Sequence, residues 1–97
     1  MAYGYIVVQV DVHDQEKFEK YRALVPDTIK KHGGEYLVRG GAFEKLEGAD
    51  PLGRMVVLRF PSYAQAKAWY DSDDYAGPKA MRHAASSANA ILIEGVE

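Results

Sequence analysis

Apolar positions set the first pattern along this chain. From Tyr3 to Val12, YGYIVVQVDV is dominated by β-branched and aromatic residues, the composition of a strand. Polar residues then break the run. Asp14 is placed to N-cap a helix whose apolar positions Phe18, Tyr21, Leu24, Val25 and Ile29 keep a helical period. Pro26 falls inside that period and predicts a kink or restart, and KKHGG (Lys30–Gly34) supplies cations and a glycine C-cap. EYLVRGGAFEKLEG (Glu35–Gly48) reads as a strand with a bulge or bend at Gly40–Gly41. ADPLG is a loop by composition.

RMVVLRF (Arg54–Phe60) is a further strand, and Ser62 with Gln65 has the spacing of a capping box at the next helix start. DSDDYAGPKAMRHAASSA predicts a second helical stretch, interrupted near Gly77–Pro78, before a closing strand in AILIEGV. No linker, repeat or low-complexity segment divides residues 1–97, so a single domain is expected. The order β-α-β-β-α-β predicts an α+β, ferredoxin-like fold: an antiparallel sheet with helices on one face.

Strand parity adds a constraint. Alternate strand residues face opposite ways. Ile6, Val8 and Val10 therefore oppose Tyr5 and Val7, Val56, Leu58 and Phe60 oppose Met55 and Val57, and Leu92 opposes Ile91 and Ile93. Both sheet faces are apolar, yet two helices cover one. A bare apolar face of that size is rare on soluble monomers. A homodimer packed sheet to sheet is expected.

Composition narrows the function classes. Ninety-seven residues with 47% hydrophobic and 27% charged side chains describe an ordinary globular chain. A net charge of −2 opposes nucleic acid or an acidic membrane as partner. The absence of cysteine excludes disulfides, thiolate nucleophiles and sulfur-ligated metal. Without a basic leader region at the N-terminus, a cytoplasmic location is the expectation.

KKHGGEYLVRGG, VVLRFPSYAQAKAWYDSDDY and MRHAASSANAILIEGV together resemble a bacterial family, domain of unknown function 1330, over nearly the whole chain. The resemblance implies a ferredoxin-like protomer of the dimeric α/β-barrel superfamily, with two sheets packed into a shared barrel. It also implies a pocket between helices and sheet. That superfamily includes cofactor-independent oxygenases, haem-degrading enzymes, isomerases and purely binding proteins, and fold alone does not choose among them.

Individual residues carry the remaining chemistry. The glycines of GGEYLVRGG flank a strand instead of leading into a helix, which opposes a nucleotide cradle. Arg39 shares nominal parity with Leu37, and on a covered face it requires a carboxylate of the protein or an anionic ligand. In WYDSDDY, Ser72 predicts a helix cap with Asp73 and Asp74 in the first turn; no metal site is expected. Tyr70, Ser72 and Tyr75 meet at a helix junction suited to a pocket. His13, His32 and His83 have no ligand spacing. His13 and His32 read as solvated, while His83 and Tyr75 are the acid–base candidates. Tyr5 and Tyr21 are expected in one aromatic interior with Trp69 and Tyr70.

The functional expectation is a pocket for a small anionic or carbonyl-bearing ligand, lined by Arg39, Tyr21, Tyr70, Ser72, Tyr75 and Arg82. Isomerisation or oxygenation there would use no cofactor. The alternative is a non-catalytic binding or structural dimer.

Overall fold

The apolar run at the N-terminus forms β1 (Gly4–Val12), the strand around which the others assemble. It is followed by α1 (Gln15–Lys31), β2 (Glu35–Arg39), β3 (Arg54–Phe60), α2 (Tyr63–Tyr70), α3 (Asp73–Ala85) and β4 (Ser86–Glu94). This computed structural model describes residues 2–97. The sheet order is β2-β3-β1-β4 with every pair antiparallel, the ferredoxin-like arrangement. Among the described residues no helix is long and apolar enough to cross a membrane.

Caps fix the helix limits. Asp14 accepts from the Lys17 amide at 3.1 Å and Ser72 from the Tyr75 amide at 3.2 Å, as their spacing predicts. Ser62 accepts from the Gln65 amide at 3.0 Å, but the Gln65 side chain donates to the His32 carbonyl at 3.1 Å. Only half of the expected capping box therefore forms, because that side chain ties α2 to the end of α1 instead. At that end, Gly33 has φ +80° and donates to the Lys30 carbonyl, while Gly34 donates to the Ile29 carbonyl. This is a Schellman stop, which needs glycine in the left-handed region.

Neither proline interrupts its helix. Pro26 lies within α1 and Pro78 within α3, and both helices run continuously. The Pro26 ring removes the amide that would bond the Arg22 carbonyl, and the Arg39 guanidinium donates to that carbonyl across the gap at 3.4 Å. The glycine-flanked strand also differs from expectation. Its bulge lies between Tyr36 and Val38, whereas Gly40, at φ +70°, closes the strand. Residues 40–53 form an irregular connection, so the strand ends at Arg39.

Register confirms the two-faced sheet. Ile6 lies beside Leu58 and Leu92, and Val8 beside Val56 and Ala90, on the face covered by helices. Ile6, Leu58, Val25, Ile29, Phe60 and Trp69 form one buried core there, adjoined by Val10, Phe18 and Ala85. Tyr5 lies beside Arg59 and Ile93, and Val7 beside Val57 and Ile91, on the other face. No helix covers that side, and Ile91 and Ile93 stay 60% and 52% exposed. Tyr5 thus belongs to the open face, as its strand parity requires, and not to the aromatic interior.

Gly34 also permits close packing. A Cβ there would lie 2.5 Å from the Phe60 ring, and that ring is 1% exposed and has nowhere to swing. Gly34→Ala is expected to cost about 1–3 kcal/mol by overpacking. A urea midpoint equal to wild type would refute this packing account.

Candidate functional site

The helix-covered face of the sheet does not close completely. A cavity of about 60 Å³ lies between it and the helices, with Trp69, Tyr21, Tyr36, Tyr70 and Tyr75 in its lining. A single water needs about 10–15 Å³ on this measure, so the space suits a small group.

Packing places the aromatic wall. Trp69 and Tyr75 stack with centroids 4.1 Å apart and planes at 30°, near the offset geometry that aromatic pairs favour. Trp69 Nε1 donates to Thr28 Oγ1 at 3.0 Å, and that hydroxyl donates to the Val25 carbonyl at 2.8 Å, so the indole is anchored to α1. Lys79 lies over the Tyr70 ring at 4.2 Å and donates to the Tyr70 carbonyl at 3.0 Å.

The polar centre is a chain of three residues. The Tyr21 and Tyr75 hydroxyls are 2.9 Å apart, and Arg82 Nε donates to the Tyr75 oxygen at 3.3 Å. Tyr75 and Arg82 are 2% and 5% exposed. Burial first, then the charge and hydrogen bond of neighbouring Tyr75, push the Tyr21 phenol far above its ordinary range. Burial likewise raises Tyr36, against the opposing pull of Arg39. Tyr21 thus stays a neutral phenol at physiological pH. Burial works against the Arg82 cation, but the neighbouring tyrosine oxygens, Tyr75 foremost, outweigh it and raise its pKa.

Charge in the lining is one-sided. Arg22, Arg39, Arg54 and Arg82 line the cavity, and the lining includes no aspartate, glutamate or histidine. Arg22 is paired with Glu19 at 3.1 Å. Among the described residues no carboxylate lies within ion-pair distance of Arg39, Arg54 or Arg82. Arg39 stacks over Tyr36 at 4.6 Å and Arg54 over Phe18 at 5.5 Å.

Of the residues singled out in the sequence, Tyr21, Arg39, Tyr70, Tyr75 and Arg82 meet at the cavity. Ser72 does not line it: its hydroxyl caps α3 and donates to the Trp69 carbonyl at 2.7 Å. His83 is exposed outside the lining, its ring 3.5 Å from Arg82 Nη2. Burial, then Arg82 and Lys79, lower its pKa. His13 contacts Ser87 at 2.7 Å, and His32 with Lys31 faces Asp74.

Arg39 reaches the covered side by a different route from the one its parity implies. Tyr36 pairs with Leu58 and Arg39 with Val56, both on the covered side, while Val38 pairs with Val57 on the open side. The bulge at Leu37 breaks the alternation. Arg22 and Arg54 were not anticipated. Arg54 could have been found by parity, since it stands two residues before Val56.

The sequence profile of the family described as Domain of unknown function (DUF1330) matches residues 3–96. The chain belongs to the DUF1330 family. No curated protein matches it. Several solved structures share its fold. A protein of unknown function from Rhodopseudomonas palustris is 15% identical with a TM-score of 0.79, over 99% of this chain and 84% of that one. SnoaB, a cofactor-independent oxygenase from Streptomyces nogalater, is 12% identical with a TM-score of 0.62, over 99% and 94%. A candidate antibiotic biosynthesis monooxygenase from Nitrosomonas europaea is 16% identical with a TM-score of 0.54, over 98% and 90%. At these identities the likeness is of fold: this DUF1330 chain has a ferredoxin-like architecture.

Two outcomes follow from the tyrosine chain. Tyr75→Phe leaves the Tyr21 hydroxyl and Arg82 Nε without their shared partner, at an expected cost of about 1–3 kcal/mol in urea unfolding. Wild-type stability in this variant would show that the hydroxyl is dispensable. Because the folded state holds the Tyr21 proton more tightly than the unfolded chain, its contribution is complete at neutral pH. It is lost as pH rises above about 10, where an unburied phenol ionises. Urea midpoints should fall less steeply above that pH in Tyr21→Phe; identical slopes would contradict the assignment.

Proposed function

We propose that this protein is a homodimeric small-molecule-binding protein of the bacterial cytoplasm, and that its sheet–helix cavity takes a small anionic or carbonyl-bearing ligand. One observation carries the reading. Arg82 is buried to 5% exposure with a tyrosine hydroxyl and a neighbouring imidazole as its side-chain contacts, and no carboxylate is within ion-pair distance. A buried guanidinium of this kind is rare unless paired. A ligand oxygen beside Tyr75 would supply the anionic partner that the protein does not.

The same pair of groups suits an oxygen that gains negative charge. Cofactor-independent isomerisation or oxygenation passes through such an enolate-type anion, and donors aimed at it are the main source of acceleration. SnoaB, of similar fold, is a cofactor-independent oxygenase. Binding without turnover is the second reading. It draws support from the absence of any aspartate, glutamate or histidine in the lining, which leaves His83, beside Arg82, as the proton acceptor for an enzymatic reaction.

Dimerisation rests on the open sheet face, where Tyr5, Val7, Val57, Ile91 and Ile93 form a continuous apolar surface in register. Soluble monomers rarely expose such a surface. Ile91→Lys, at an already exposed position, is expected to halve the mass in light scattering at micromolar concentration. A wild-type monomer would end the dimer proposal.

Ligand binding is tested by thermal shift with small carboxylates, phenols and diketones. A ligand present at about 100 times its Kd should stabilise by about 2.7 kcal/mol, a shift absent from Arg82→Gln. No stabilisation by any compound would overturn the binding reading. If turnover is found, His83→Ala should abolish it while leaving binding intact.

A further inference from the structure

The cavity offers two pairs of polar side chains, Arg39 with Arg54 and Tyr75 with Arg82, and their chemistry narrows the ligand. We infer that it takes a monocyclic aromatic carboxylate bearing a second oxygen, with the carboxylate on Arg39 and Arg54 and the second oxygen on Tyr75 and Arg82. This rests on the binding reading above and goes further in naming the substrate class and two specificity residues.

Register puts the first end together. Arg39 pairs with Val56, and Arg54 precedes Val56 by two residues on the same strand. The two arginines are therefore diagonal neighbours on one face of adjacent strands, with Cα atoms about 7–8 Å apart. Gly40 follows Arg39 at φ +70°, and its Cα side faces the Arg54 stem, where a Cβ would lie at an ordinary contact distance of 3.8 Å from Cδ. Each guanidinium lies over an aromatic ring, Arg39 at 4.6 Å from the Tyr36 centroid and Arg54 at 5.5 Å from that of Phe18. Arg39 Nη2 donates to the Arg22 carbonyl, and the remaining N–H groups of the two forks can serve a planar acceptor.

Two neighbouring cations repel, and among the described residues no carboxylate faces either one. One carboxylate between two guanidinium edges removes that repulsion and forms charge-assisted, bidentate bonds. A neutral hydroxyl or ketone does not. Val8, Val10 and Val56 add apolar side chains from the sheet to the same lining. The cavity of about 60 Å³ corresponds to roughly four to six water sites at about 10–15 Å³ each, the scale of one ring. Tyrosine and tryptophan walls favour a flat body over an aliphatic one.

The test is calorimetric titration of the intact protein with 3- and 4-hydroxybenzoate, benzoate and phenol at neutral pH and fixed low salt. At least one hydroxybenzoate should bind most tightly. Arg39→Gln or Arg54→Gln should weaken it by about 10- to 100-fold, the range for a charged hydrogen bond, while phenol binding stays unchanged. Arg54→Lys keeps the charge but loses the fork and should recover only part of the affinity, which separates recognition from folding. Tyr75→Phe should remove the advantage of hydroxybenzoate over benzoate.

Phenol binding with no gain from the carboxylate, or rim variants that bind like wild type, would sink this inference and leave the binding reading standing. A wild-type protein that binds none of the four would count against both. Inorganic phosphate that binds as tightly as hydroxybenzoate would reassign the arginine pair to phosphate and overturn the aromatic class. Rim variants that change the oligomeric mass without changing affinity would hand Arg39 and Arg54 to the second subunit, which equally overturns the inference.

Discussion

A guanidinium buried without a carboxylate is the constraint around which this protein is organised. Arg82 cannot shed its proton, so its surroundings must accept hydrogen bonds or admit something that does. Tyr75 accepts one, and Tyr21 extends the chain to α1. The aromatic wall follows from this need, because tyrosine rings supply apolar packing and polar tips at once. The Trp69–Tyr75 stack then fixes how α2 and α3 lie over the sheet. A carboxylate partner in place of Tyr75 would satisfy Arg82 and leave nothing for a ligand to do.

The sheet imposes the second organising demand. Its two faces are both apolar, but only one carries helices, so the chain has one covered face and one open face. The arginines and tyrosines of the cavity gather under the helices, while the open face keeps mainly aliphatic side chains with Arg59 paired to Glu35 at its edge. Changes on one face need not disturb the other.

Much of this was legible in the sequence, and for one reason: period-2 and helical patterns are local. The parity of Ile6, Val8 and Val10 against Tyr5 and Val7 gave the two faces, and Asp14 and Ser72 announced their helices. The errors share a cause too. The bulge at Leu37 is set by pairing with β3, which no local pattern records, and it sends Arg39 to the covered side by interrupting the alternation. Pro26 implies a kink or restart of α1 and Gly77–Pro78 an interruption of α3, yet tertiary packing keeps both helices continuous. Arg22 reached the lining unannounced because the helical period counted apolar positions only. Tyr5 lies on the open face that its own strand parity requires.

Pro26 leaves the Arg22 carbonyl without its helical donor, and Arg39 donates to that oxygen from the end of β2. A local defect in α1 thus becomes a tether between helix and sheet, at the side of the cavity that Arg22 and Arg39 line.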